Sequence, residues 1–311
     1  MVGLAETIQP VREVGLPKMV LPISPSLAIS CRPYCGHHRT VHRGVWLGGI
    51  VTAGLLAVVV HLAMSNHAHP QTSSIVELRQ YRLHAGKRDA LIELFEREFI
   101  ESQEALGMAI LGTFRDLDDP DRFVWTRGFT DMPSRASALD AFYSGPVWQA
   151  NRDAANATMV DSDDVLLLRV VRAGPGFSSG ERKRPPPGAS AIPESLVVAN
   201  IYYFASSVGA PFIAFFERVV SPALLAADIQ VDATYVSETS PNNFPPLPIR
   251  ENERVFVWFS THRDARGYEH SLARLHQSAE WTSIREELRS KLMREPEVHR
   301  LQPTPRSALG D

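Results

Sequence analysis

Cysteine is nearly missing from this chain. Its 311 residues hold two, Cys31 and Cys35, so everything beyond position 35 is free of thiols. That excludes a disulfide framework and a cysteine nucleophile from the downstream part. An excess of one charge is missing too: 32 Lys and Arg stand against 35 Asp and Glu, a formal net charge of -3. No global field draws in nucleic acid or an acidic membrane surface. There is no glycine-rich phosphate loop and no Ser-His-Asp arrangement. Cys31-x3-Cys35-x-His37-His38 has ligand residue types but no second pair in a folded context, so no metal site is expected. Asp116, Asp118, Asp119 and Asp121 lack the bidentate Glu of a calcium loop and read as a solvated acidic turn. No axial His for haem stands out, and no cofactor is expected.

Long apolar runs are scarce as well, with one exception. Residues 45–64 (VWLGGIVTAGLLAVVVHLAM) are uncharged apart from His61 and follow Arg39 and Arg43. Twenty such residues just span a bilayer core of ~30 Å, and the basic flank places the N-terminus on the cytoplasmic side. Ala63-Met64-Ser65 also offers small residues of the kind a signal peptidase favours. The expectation is a signal sequence or membrane anchor at 45–64, with the rest exported to the periplasm or outside, or held at the membrane. The alternative is a cytoplasmic protein whose N-terminal segment is a translation-start artefact. Residues 1–44, rich in Pro, Ser, His and Arg, read as a disordered tail.

Past position 75 the pattern becomes regular. Residues 75–83 alternate as a strand, Ala85-Gly86 turns, and 88–106 carry Leu91, Leu94, Phe95 and Phe99 at helical spacing until Gly107 stops them. Strands are expected at 108–114 and 123–129. A helix capped by Ser134 follows, then a second helical piece from Pro146 and a strand at 165–171. The order is βαββαβ, that of a ferredoxin-like unit, over 75–172. A Pro/Gly-rich linker at 173–195 separates it from a second, divergent copy at 196–304. There LVVANIYYF repeats IVELRQYRL, Phe215-Phe216-Glu217-Arg218 echoes Leu94-Phe95-Glu96-Arg97, and Phe256-Val257-Trp258 repeats Phe123-Val124-Trp125. Residues 242–251 form a longer, Pro-rich turn in place of the acidic one. The final strand near 298–301 is weakened by Pro296.

Three stretches of the first copy, IVELRQYRLHAGKRDALIELFEREF, RFVWTRGFTDM with AFYSGPVW, and NRDAANATMVDSDDVLLLR, together resemble the NIPSNAP family. The resemblance covers about a hundred residues. It implies an α+β fold of the dimeric α/β-barrel superfamily, in which ferredoxin-like sheets pair around a pocket. That superfamily includes monooxygenases, haem-handling enzymes and simple binding proteins. A four-stranded sheet with helices on one face needs a cover for the other. Two units in one chain are therefore expected to pack sheet to sheet as an intrachain pseudo-dimer, with further oligomerisation open.

Alternation along the first strand sets Val76 and Leu78 apart from Glu77, Arg79 and Tyr81. If the apolar pair faces the helices, the second set points at the opposing sheet. With Trp125, Arg127 and Arg169 from neighbouring strands and Tyr202 and Trp258 from the second copy, it would line an inter-sheet pocket for a small polar or anionic molecule. Where Glu77, Arg79 and Arg127 stand, the second copy has Val198, Asn200 and Ser260. Tyr81 and His84 are the candidates for acid–base chemistry. Trp148 reads as a core anchor, and Asp161, Ser162 and Asp163 as turn and cap residues. Three functions compete: a small-molecule binding protein, a cofactor-independent oxygenase or isomerase, and a protein-interaction module.

Overall fold

The protein is seen in a computed structural model, which describes residues 73–173 and 184–309. The tail at 1–44, the apolar run at 45–64 and residues 174–183 of the linker lie outside the described residues. Among the described residues no helix is long and apolar enough to cross a membrane, and no group of His, Cys, Asp and Glu is placed to hold a metal.

Strand β1 (Ile75–Leu83) is built of alternating β-branched, aromatic and long side chains that suit a pleated surface. It pairs antiparallel with β3 (Arg122–Phe129) on one side and β5 (Val165–Ala173) on the other. Outside β3 lies β2 (Ala109–Asp116). In the second half β6 (Leu196–Tyr203) is flanked by β8 (Val255–His262) and β9 (Glu297–Pro303), and β7 (Ala233–Ser237) lies beyond β8. The halves join at two seams, β2 against β9 and β5 against β7. Eight strands thus form a closed antiparallel ring, and closure leaves no free sheet edge. A short strand, β4 (Met159–Asp161), adds to the end of β1 outside the ring.

The interior of the barrel is largely apolar and filled from both halves. Val76, Leu78, Phe114, Val124, Leu166 and Leu168 meet Val197, Ile201, Tyr235, Val257, Phe259 and Leu301 there. This reverses the expected phase. Val76 and Leu78 point into the barrel, while Glu77, Arg79 and Tyr81 point outward under the helices. An eight-stranded barrel has room for little more than its own side chains, and those facing β1 from the second half are mostly aliphatic and aromatic, the polar ones, Glu297 and His299, being gathered at the β2–β9 seam and paired there. A charged row buried among the apolar side chains would lack free partners; the helical layer supplies them.

On the outer face of the first half, α1 (Arg88–Leu94) runs into a π-helical turn (Phe95–Phe99) and then α2 (Ile100–Glu104). The expected single helix is thus interrupted. Gly107, at φ +85°, takes the left-handed conformation that ends it. The second half repeats the break with α5 (Ala210–Phe215), a π-helical turn (Phe216–Val220) and α6 (Ser221–Ala226). Helices α3 (Met132–Ser144) and α4 (Pro146–Asn156) complete the first layer, and α7 (Ala265–Gln277) and α8 (Ala279–Lys291) the second. The cap of α3 is Asp131, whose carboxylate accepts from Ser134 N at 2.7 Å; Ser134 itself is inside the helix. The last strand is not weakened: β9 holds seven residues because Pro296 sits just before it, where a missing N–H costs no ladder bond.

Candidate functional site

The outward row of β1 meets the helices in a buried ionic cluster. Glu77, Arg79, Arg127 and Arg135 are each 0% exposed. The register places Glu77 opposite Arg127 and Arg79 opposite Trp125, so the cross-strand partners share a face. Glu77 accepts from all three arginines: Arg79 Nη1 at 2.8 Å and Arg127 Nη2 at 2.6 Å on Oε2, and Arg135 Nε at 2.7 Å on Oε1. Arg127 Nη1 also donates to Gln103 Oε1 at 2.8 Å, and Gln103 Nε2 donates to Phe99 O. Arg79 Nε donates to Tyr81 Oη at 2.9 Å. Below them lies Trp125, with Arg79 and Arg127 centred 5.5 and 5.0 Å from its ring, within cation–π range.

The charges do not balance. Three guanidiniums surround one carboxylate, a formal surplus of two positive charges. Burial by itself would push the Glu77 carboxyl up, but Arg127, Arg79 and Arg135 together hold it far below the usual carboxylate range. Glu77 is therefore ionised at any working pH. Burial pulls Arg135 down, Glu77 offsets this only in part, and the neighbouring Arg127 and Arg79 pull it further down. Burial also pushes the Tyr81 phenol up, against the pull of Arg79, so it stays neutral and able to donate. Exposed Asp163 lies within electrostatic reach of Arg79, though burial and then Asp161 push its own carboxyl up.

Arg135 is where the cluster meets the second half. Its Nη1 donates to Asn242 Oδ1 at 3.1 Å and Asn243 Oδ1 at 2.6 Å. Its Nη2 is buried without a hydrogen-bond partner. Both asparagines belong to the long segment between β7 and β8. That segment also anchors Asn243 Nδ2 on Met132 O and lays Phe244 on Tyr143, centroids 5.8 Å apart and planes 22° apart. Tyr143 in turn packs on Trp148 and Phe142.

Of the residues expected at the pocket, the structure brings together Glu77, Arg79, Tyr81, Trp125 and Arg127, but under the helices rather than between the sheets. Arg169 is exposed on the outer face of β5 and takes no part. Tyr202 and Trp258 hold equivalent places in the second half, 6.4 Å apart in an aromatic core with Phe216 and Trp281; among the described residues no arginine joins them. They are not part of this site. His84 is exposed beyond the end of β1, away from the buried cluster. Trp148 is a core residue as expected. Asp161 closes its turn by accepting from Asp163 N at 2.8 Å.

Gln103, Arg135, Asn242 and Asn243 were not picked out by sequence reading. For two of them a signal exists. Gln103 continues the series 91, 95, 99, and Arg135 shares the spacing of Ala138, Leu139 and Phe142, all on the buried faces of their helices. The asparagines carry no such signal, because their segment lacks periodicity.

A second ionic group lies at the β2–β9 seam, beside a surface pocket of about 380 Å³ lined by Asp116, Asp119, Arg122, Glu297 and His299. His299 Nδ1 and Asp116 Oδ2 are 2.9 Å apart, His299 Nε2 and Glu297 Oε1 3.0 Å. Burial would lower this imidazole, but its bonds to the two carboxylates push it up to about 9. Both ring nitrogens are thereby committed, and the group acts as a charged clasp between the halves. Asp116, expected in a solvated turn, is instead buried in it.

These features define a single-chain antiparallel α/β barrel whose polar site lies between one sheet and its helices. Residues 76–173 match the NIPSNAP family model: this stretch of the chain is a NIPSNAP domain. No curated protein sequence matches the chain. Among solved structures, a NIPSNAP domain protein from Burkholderia xenovorans is 20% identical, covering 32% of this chain and 94% of that one, with a TM-score of 0.28. A NIPSNAP family protein of unknown function from Agrobacterium tumefaciens is 22% identical, covering 34% and 96%, with a TM-score of 0.31. A monooxygenase candidate from Fusobacterium nucleatum is 10% identical, covering 75% and 93%, with a TM-score of 0.46. At such values none of them bears on activity, and the architecture stands on the strand pairing.

Proposed function

We infer that this protein binds a small anionic molecule at the arginine cluster on the helix-covered face of its first sheet. One observation carries the reading: two surplus positive charges are buried, and one guanidinium nitrogen, Arg135 Nη2, has no hydrogen-bond partner. Burying an unpaired charge costs several kcal/mol, and an oxyanion on Arg135 offsets that cost with charge-assisted bonds. The reading moves the expected ligand out of the barrel, whose interior is occupied by packed apolar side chains.

The test is calorimetric titration of the full chain with sodium benzoate and, separately, inorganic phosphate. Binding of either in the millimolar range or tighter, lost in Arg135→Gln, supports the reading. Absence of binding by both, with no anion retained in native mass spectra of the purified protein, overturns it.

A second reading, a cofactor-independent oxygenase or isomerase, rests on Tyr81. Its phenol is neutral, buried and held by Arg79 in the same cluster, and a neutral phenol can donate a proton to a charge developing on a neighbouring anion. Under it, Tyr81→Phe keeps anion binding and loses turnover.

A further inference from the structure

The long segment between β7 and β8 belongs to the second half, yet its residues 242–244 rest on the arginine cluster of the first. The corresponding turn between β2 and β3 is the short acidic loop at 117–121. The extra length is what lets Asn242, Asn243 and Phe244 reach across. What they offer there is specific: two amide oxygens on Arg135 Nη1 and an aromatic ring on Tyr143.

Arg135 has one edge to give. Its Nε is committed to Glu77 at 2.7 Å, so a planar oxyanion can approach only across Nη1 and Nη2. Nη1 is occupied by the asparagines, and Nη2 is buried with no partner. A carboxylate on that edge takes one oxygen to each nitrogen, in the parallel two-bond geometry a guanidinium favours. It would replace the amide oxygens at Nη1 and satisfy Nη2 in the same step. The contact with the amides is the poorer one, since neutral acceptors make weaker bonds to a guanidinium than charged ones.

The cover is also thin. Arg135 is fully buried while Asn243 is exposed, so a single layer of the strap separates the guanidinium from solvent. Asn242 is bound into the loop itself: its Oδ1 also accepts from Phe244 N and its Nδ2 donates to Leu247 O. Asn243 is held on the first half, through Arg135 and through Met132 O at 2.5 Å. Moving the strap therefore frees the Arg135 edge and one face of Tyr143 together.

We propose that Asn243 and Phe244 form a displaceable plug that mimics the ligand, and that the ligand it yields to is an aromatic carboxylate. An acceptor oxygen beside a ring is what the plug presents, and a carboxylate beside a ring is what would replace it. The proposal rests on the anion-binding reading and deepens it: the second half contributes the gate, and the gate selects for a ring as well as a charge.

The experiment titrates the full chain, unmodified and as single variants, with sodium benzoate and with inorganic phosphate. Asn243→Ala removes one competing hydrogen bond to a charged group, and benzoate is expected to bind about tenfold tighter. Phe244→Ala, followed by stopped-flow tryptophan fluorescence, is expected to take up benzoate several-fold faster. Circular dichroism checks that both variants keep the fold. Benzoate binding that is unchanged or weaker in Asn243→Ala, with binding still lost in Arg135→Gln, overturns the plug while leaving the arginine site in place. A larger gain for phosphate than for benzoate overturns the aromatic carboxylate. Loss of binding in every form, the unmodified chain included, overturns both the plug and the anion site beneath it.

Discussion

Glu77 is the residue on which the site's electrostatics turn. Its carboxylate is bonded to three buried guanidiniums, and its own ionisation is secured by them. Replacing it by Gln keeps the shape but leaves three cations facing one another. The expected cost is about 3–5 kcal/mol, the usual range when one member of a buried ionic group is removed; a urea denaturation midpoint close to that of the unmodified protein would contradict this. The sign of the acid dependence follows from the same bonds. Because the folded-state pKa of Glu77 lies below its ordinary 4.5, its contribution is present above that pH and is lost as the pH falls below it. Sequence reading grouped Glu77, Arg79, Tyr81, Trp125 and Arg127 correctly on one face, because alternation fixes which side chains go together. It missed Arg135, because a single arginine on a helix normally reads as solvated.

At the scale of elements, two features that looked weak in sequence turn out to join the halves. Strand β9 follows Pro296 and is rich in polar residues, yet it pairs with β6 on one side and β2 on the other. Those polar residues are there because the seam is clasped by His299 between Asp116 and Glu297. The folded-state pKa of His299, about 9, lies above its ordinary 6.5. Its contribution to stability is therefore complete below pH 6.5 and is lost as the pH rises through 9. Glu297, drawn down to about 2 first by its bond to His299, stays charged throughout that window. Urea midpoints measured at pH 6, 7.5 and 9 are expected to fall across the series, and His299→Gln is expected to remove most of that slope. An unchanged slope in the variant would show that the clasp contributes nothing. The strap between β7 and β8 was visible only as a long Pro-rich insertion; that it reaches Arg135 could not be read, since loops without periodicity carry no facing information.

For the whole molecule, closure of the ring is what makes one chain sufficient. Cut at the linker, the first half would expose Val76, Leu78, Leu111, Phe114, Val124, Leu166 and Leu168 along with the free edges of β2 and β5. Residues 73–173 produced alone are expected to dimerise or aggregate, seen by size exclusion with light scattering; a well-behaved monomer would show that the second half is not the cover it is taken to be. The second half also supplies the strap, so that loss of its arginine equivalents at Asn200 and Ser260 accompanies a role in closing the first site.

Two βαββαβ units, and the side chains that share each strand face, were determined by the sequence alone, because apolar alternation and turn residues act over a few positions. Which face looks into the barrel was not. Both sides of β1 are buried, one by the opposite sheet and one by helices, and alternation is silent when both faces are covered. Only tertiary structure decided it: the charged row went where Gln103, Arg135 and the strap from the other half could answer its hydrogen bonds, and the aliphatic row took an interior whose few polar groups are already paired with one another at the β2–β9 seam.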